Sequence, residues 1–413
     1  METEVTTLKN GLPLIYRSMP NMETVGIVFA VNYGSVYETL ENNGCAHFLE
    51  HMLYRGTKKI KTGAEVKNTF KDLCGDYFNG MTGKEIMLYI GKTHKSLFSN
   101  LSSLLSEIIT ESRLDPADIE IERGVILNEN LMKKDDTIKI AGWARDKEIF
   151  GEHPAALKTL GDNESIQKLI TPEIVKKTYG DYFTPDNSVL VVYGAVPEKD
   201  ILTVAENQFG GFSGRFAGKT IEPASPENKG GEIIIEKPGL NQAAVMLSLK
   251  LPTYKRAIKK ELAAVDILAG SLERSLMTKI REERGMTYAL GVTNDNGKTY
   301  SYLTSVVGTQ PENADTVKGI VIDEMNKLSN GEFSAETVQK IKTQQARENK
   351  IKIAEETLKS AIGTSFNYIV TGEPLFYEEA PVMYESLTLD DLRSACKYFN
   401  PTKSVSVIVK PKT

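Results

Sequence analysis

An eight-residue motif occurs twice in this chain, half a length apart. Tyr182-Phe183-Thr184-Pro185-Asp186-Asn187-Ser188-Val189 returns as Tyr398-Phe399-Asn400-Pro401-Thr402-Lys403-Ser404-Val405, 216 positions later in a sequence of 413 residues. Each copy follows a polar, helix-like stretch (171–179 and 388–397), and each leads into a valine-rich run (189–193 and 405–409). A proline just after a helix end is common on its own, because it cannot continue the helix. The shared Ser-Val and the half-length offset go beyond that and read as a tandem duplication. Whatever one half folds into, the other is expected to repeat.

The length already exceeds what one hydrophobic core usually serves, so two domains are expected. Between the halves, Gly210, Gly211, Gly214, Gly218, Pro223, Pro226, Gly230 and Gly231 crowd a short stretch with breakers. That places a first domain at 1–212, a linker at 213–230 and a second domain at 231–413. In the first half, residues 14–17, 25–32 and 85–90 read as strands and 44–53 as a helix; in the second, 232–236 and 243–249 read as strands and 259–281 as a helix. Strands mixed with helices in this order predict an α+β class, each domain an antiparallel sheet with helices packed on one face.

Charge and cysteine content narrow the function. A net charge of −5, with no Lys/Arg stripe above the mixed background, argues against a nucleic-acid partner. No run approaches the roughly 18–20 apolar residues of a membrane span. Cys45, Cys74 and Cys396 lie far apart and are odd in number, which fits a reducing compartment better than a disulfide framework. The start, Met-Glu-Thr-Glu-Val, lacks the basic and apolar segments of a signal peptide, so a cytoplasmic location is expected.

The chemistry concentrates at His47-Phe48-Leu49-Glu50-His51. Residues four apart on a helix stand nearly above one another, so His47 and His51 can offer two ring nitrogens to one metal ion. Glu50 shares that side and can reach a water held by the metal. The order is the mirror of His-Glu-x-x-His, the arrangement called inverzincin, and it points to zinc-dependent hydrolysis. Only four histidines occur in the chain, which makes this spacing informative.

A hydrolytic zinc site needs a third protein ligand and an open position. His94 and His153 sit in loop-like contexts typical of surface histidines. Glu122 and Glu129 lie seven apart, hence on one face of a helix that Asp115 can cap and Pro116 can open. Periodicity alone does not choose between the two glutamates.

With these motifs in view, the chain resembles the pitrilysin/insulinase family of zinc peptidases, in the branch that includes mitochondrial processing peptidase and its bacterial relatives. His47 through Thr57 matches that branch's signature, and Glu122-Arg123-Gly124-Val125-Ile126-Leu127-Asn128-Glu129 resembles its downstream glutamate helix. The likeness extends through Asn10-Gly11-Leu12, Asn79-Gly80-Met81-Thr82, Pro185-Asp186-Asn187 and the Pro401 segment. The resemblance implies one Zn2+ per chain held by His47, His51 and Glu129, with Glu122 supporting the site and Glu50 as proton carrier. It further implies that Arg281 and Tyr288, in Arg281-Glu-Glu-Arg-Gly-Met-Thr-Tyr288, bind the scissile carbonyl region, and that Asn79 holds substrate backbone at a sheet edge.

The family more often has alanine where Gly80 stands, and a charged residue where Asn128 and Asn130 flank Glu129. Neither departure removes a ligand. The implied activity is a metalloendopeptidase acting on peptides or unfolded segments. Its implied assembly is a homodimer, or a heterodimer with a related chain, in which Arg281 and Tyr288 serve the partner's zinc. The alternative is a non-catalytic or heterodimer-dependent subunit of a peptide-processing complex.

Overall fold

The computed structural model describes residues 2–254 and 259–412, apart from the side chains of Tyr288 and Phe376. The chain builds two sheets. The first comprises β1 (Glu4–Thr7), β2 (Pro13–Ser18), β3 (Thr24–Val31), β4 (Phe78–Thr82), β5 (Met87–His94) and β6 (Ser188–Gly194), in the order β1-β2-β6-β3-β5-β4. The second comprises β7 (Gly231–Lys237), β8 (Ala243–Lys250), β9 (Thr287–Asn296), β10 (Ser301–Thr309) and β11 (Val405–Pro411), in the order β7-β11-β8-β10-β9. Without β1 the two orders are the same, strand for strand, and the repeated motif leads into the equivalent strands β6 and β11.

The α+β class read from the sequence is the class the chain adopts, with one addition in each sheet. The pairs β2/β6 and β7/β11 are parallel, and the rest are antiparallel. A strand that returns across the helical segment arrives parallel to β2 in the first half and to β7 in the second.

The helices of the first half are α1 (Cys45–Leu53), α2 (Gly63–Cys74), α3 (Phe98–Thr110), α4 (Pro116–Lys133), α5 (Thr137–Phe150), α6 (Pro172–Tyr182) and α7 (Glu198–Phe209). Those of the second are α8 (Lys259–Leu276), α9 (Ala314–Ser329), α10 (Ala335–Glu355), α11 (Thr357–Thr371), α12 (Phe376–Ser386) and α13 (Leu389–Ala395). Their starts are written locally. Thr171 accepts from the Ile174 amide ahead of Pro172, Thr388 and Asp391 form a capping box, and Asp115 Oδ1 accepts from the Ala117 amide at 2.9 Å.

The helices cover both faces of each sheet, where the sequence suggested one. Every residue of β6 is buried, the continuous apolar pattern of a strand packed on two sides. On the first sheet, Ile15, Val28, Ala30, Leu88, Ile90, Val189 and Val191 form a layer under Ala361, Leu358, Ile362 and Phe366 of α11. The approach is close: a Cβ on Gly26 of β3 would lie 2.7 Å from the Leu358 Cα.

On the second sheet, Val245, Leu247 and Leu249 of β8 pack with Leu268 and Leu272 of α8 and Val321 of α9. The other face carries α5, whose Arg145 donates to Thr304 at 2.9 Å and stacks 3.7 Å from the Tyr302 ring centroid. The boundary at 213–230 therefore separates the strands of the two sheets but not the helices. Each sheet takes a covering helix from the opposite half of the chain. The compact units are accordingly discontinuous, Met1–Glu129, Leu157–Ile221 and Asn349–Glu379 forming one and Asn130–Ala156, Glu222–Glu348 and Ala380–Thr413 the other.

Candidate metal centre

Helix α1 carries the His-x-x-Glu-His motif, and its start is held from outside the helix. Gly44 stands in the left-handed region at φ 98°, and a Cβ there would meet the Gly161 Cα at 2.8 Å. Amides at the start of α1 that lack an intrahelical partner are met by Glu38, whose carboxylate accepts from Gly44 N at 2.8 Å and Ala46 N at 2.7 Å, and also from Asn43 Nδ2 at 2.9 Å. Glu38 is only 2% exposed, and burial pushes its pKa up to about 7 even though these hydrogen bonds and Lys84 favour the anion.

One turn on, three side chains converge. His47 Nε2 lies 3.6 Å from Glu129 Oε2, and His51 Nε2 lies 3.9 Å from the same oxygen. Both separations are long for a hydrogen bond. Ligand atoms bound to a tetrahedral zinc at ~2.0–2.2 Å would stand roughly 3.3 Å apart, so the spacing suits a shared ion better than direct pairing. Among the described residues this is the one group of three such ligand atoms, all within 4.8 Å of one another.

The protonation states suit the same purpose. Burial, then repulsion from His51, pushes the pKa of His47 down to about 4, which keeps its imidazole neutral near pH 7. His51 Nδ1 sits 2.9 Å from Glu122 Oε2. Burial alone would raise the pKa of Glu122, but the His51 hydrogen bond, with Arg55 and Lys67, outweighs it and holds the carboxyl below its usual range. An ionised Glu122 can only accept, so His51 carries its proton on Nδ1 and turns the Nε2 lone pair toward Glu129. Arg55 steadies Glu122 at 3.2 Å and Asp118 at 3.1 Å. Glu129 is 33% exposed, which leaves the site open on one side.

Glu50 points from α1 toward β4 and accepts a hydrogen bond from the Thr82 hydroxyl. Burial raises its pKa, Thr82 and His51 oppose the rise, and Glu129 adds to it. A carboxylate with a raised pKa beside a ligand cluster suits proton transfer near neutral pH.

The first unit thus brings together His47, Glu50, His51, Glu122 and Glu129 from the residues singled out in the sequence. Asn79 is exposed on β4, the last strand of its sheet. Arg281, exposed in the turn Met277–Glu282, and Tyr288, in β9, belong to the second unit; the Tyr288 side chain lies outside the described residues. His94 pairs with Glu23 at 3.4 Å, and His153, in the second unit, lies 2.9 Å from the Glu222 carbonyl.

Sequence reasoning missed Glu38, Arg55 and Thr82. Arg55 continues the four-residue spacing of His47 and His51, and Thr82 shares a strand face with Gly80, so both had a periodic signal. Glu38 sits in a loop and had none.

Comparison with known proteins bears on the same elements. Residues 14–162 match the family description "Insulinase (Peptidase family M16)", and residues 169–345 match "Peptidase M16 inactive domain". A Rickettsia bellii protein named "uncharacterized zinc protease" is 25% identical over 98% of this chain and 97% of its own length. The mitochondrial-processing peptidase subunit beta of Blastocladiella emersonii is 24% identical over 98% of this chain and 88% of its own. The crystal structure of a protease from Helicobacter pylori shares the fold with a TM-score of 0.91 at 23% identity, covering 99% of each chain. Matched in both halves by descriptions of one family, the chain belongs to the M16 peptidases.

Proposed function

We propose that the chain is a zinc-dependent metalloendopeptidase that hydrolyses peptides or unfolded polypeptide segments, with one Zn2+ held by His47, His51 and Glu129. The observation that carries this reading is the convergence of those three ligand atoms beside the half-buried carboxylate of Glu50. Two imidazoles and a carboxylate are a donor set that zinc favours, and the ion supplies a Lewis acid that polarises a carbonyl and acidifies a water. Glu50 takes the proton of the attacking water and passes it to the leaving amine. Glu122 fixes the tautomer and orientation of His51.

By resemblance, Arg281 and Tyr288 stabilise the developing oxyanion and Asn79 guides the substrate backbone along β4. The molecule works as a homodimer in which one chain's Arg281 and Tyr288 serve the other's zinc. The three cysteines are free and buried, which supports a cytoplasmic setting. No helix among the described residues is long and apolar enough to cross a membrane.

A second reading has its own support. The relative named a processing-peptidase subunit beta, and the match of residues 169–345 to an "inactive domain", favour a chain active only beside a different partner. Assay of the purified chain on a quenched peptide, with zinc content measured on the same sample, separates the two. In Glu50→Gln, zinc is retained and hydrolysis falls by about 10²–10⁴-fold. Wild-type turnover in that variant would defeat the proton-carrier role, and a metal-bound chain active only after addition of a related subunit would favour the second reading.

A further inference from the structure

We propose that Thr82 is a positioning residue for Glu50, and that the absent side chain of Gly80 provides the space in which Glu50 is held. This rests on the metalloendopeptidase reading and adds to it how the proton carrier is aimed.

Side chains alternate along β4, so Phe78, Gly80 and Thr82 share one face while Asn79 and Met81 share the other. Asn79 and Met81 are exposed. The Phe78 ring stacks on Phe70 of α2 at 4.9 Å, and the remaining two residues of that face meet Glu50. The Thr82 hydroxyl donates to Oε2. A Cβ built on Gly80 would lie 2.6 Å from the Glu50 Cγ and 2.9 Å from Oε1. Even alanine would therefore displace the glutamate from its present position.

No other side chain among the described residues donates to Glu50. Tyr54 and Tyr89 are close enough for the Glu50 charge to raise their pKa values, yet their buried hydroxyls have no hydrogen-bond partner. Thr82 alone thus fixes which carboxylate oxygen is hydrogen-bonded to β4 and which stays free to accept a proton. Because β4 is the end strand of its sheet, anything that pairs along its open edge acts on Glu50 through these two residues.

The experiment compares Thr82→Val, Thr82→Ser and Gly80→Ala, each analysed for zinc, for kcat and KM on a quenched peptide, and for the carboxyl ¹³C resonance of Glu50 in metal-free protein, assigned with Glu50→Gln. In Thr82→Val, which keeps shape and loses the hydroxyl, kcat falls by roughly 10–100-fold while KM stays within about twofold, zinc content is unchanged and the resonance moves. Thr82→Ser recovers most of kcat and returns the resonance. Gly80→Ala moves the resonance and lowers kcat with zinc retained.

An unmoved resonance in Thr82→Val would overturn the proposal, as would a serine variant as impaired as the valine one. A zinc-loaded wild type inert toward peptides would instead sink the metalloendopeptidase reading, and the resonance would still decide the role of Thr82.

Discussion

Two helices stand at equivalent points of the duplicated fold. Helix α1 follows β3 in the first unit, and α8 follows β8 in the second. On α1 the inward positions include His47, Glu50 and His51; on α8 they include Leu262, Ala264, Val265, Leu268 and Leu272, and every buried residue of that helix is apolar. The same strand order is built with both, so the architecture does not need the ionisable residues. Burying such groups is costly unless they are paired or bind a metal. The first unit carries that cost and answers it with a dedicated frame, in which Glu38 holds the helix start, Arg55 and Glu122 hold His51, and Thr82 holds Glu50. The comparison locates function in departures from the repeat.

The exchanged helices teach a second difference. Helix α11 meets the first sheet with small, fully buried residues, among them Thr357, Ser360, Ala361 and Thr364. Their hydroxyls are satisfied, as where Ser360 donates to the Lys352 carbonyl at 2.6 Å and where the Thr364 and Tyr193 hydroxyls share a hydrogen bond at 3.0 Å. Helix α5 meets the second sheet with the buried pair Arg145–Asp146, joined at 2.7 Å. One sheet is covered by close approach and the other by a charged network over Tyr302.

Three variants sharpen these contrasts. Arg145→Met has the largest expected effect. It removes the guanidinium that pairs with the buried Asp146 carboxylate and lowers stability by about 3–5 kcal/mol, while zinc bound per folded molecule stays the same. Denaturant unfolding checks this, and a loss under ~1 kcal/mol would show that the pair contributes little to holding α5.

Glu122→Gln comes next. It keeps the three metal-facing side chains but removes the anion that fixes His51, so zinc affinity falls by about 10–100-fold and added zinc restores activity. Competition with a chelator measures it. Unchanged affinity would remove Glu122 from the frame.

Glu38→Gln gives the smallest effect, and it depends on pH. The folded pKa of Glu38, about 7, lies above the ordinary value near 4.3, so the folded state holds the proton more tightly than the unfolded chain. The stability that Glu38 contributes is fully present below the unfolded pKa and is lost as pH rises through 7. The Tm of metal-free wild type should therefore drop relative to the variant between pH 5 and pH 8. A constant difference would contradict the burial of Glu38 as a proton-holding group.

Much of this was legible in residue spacing. The paired Tyr-Phe-x-Pro segments foretold equivalent strands, and the spacing of His47 and His51 placed both rings on one helix face. The choice between Glu122 and Glu129 was not legible, because a seven-residue spacing puts both on one side. What separates them is how α4 seats against its neighbours, where Arg123 reaches the Ile170 carbonyl at 2.9 Å and lies 5.7 Å from the Phe48 ring. The helix exchange was equally hidden. Local spacing gives no sign that Arg145 and Asp146, or Thr357, Ser360 and Thr364, are buried, and only the long-range topology covers them.

The most direct measurement is anomalous diffraction at the zinc edge from crystals grown with the metal. The account predicts one peak per chain, ~2.0–2.2 Å from His47 Nε2, His51 Nε2 and a Glu129 carboxylate oxygen, with Glu122 outside bonding distance. A zinc-saturated crystal with no peak there, or with Glu122 in place of Glu129, would contradict it.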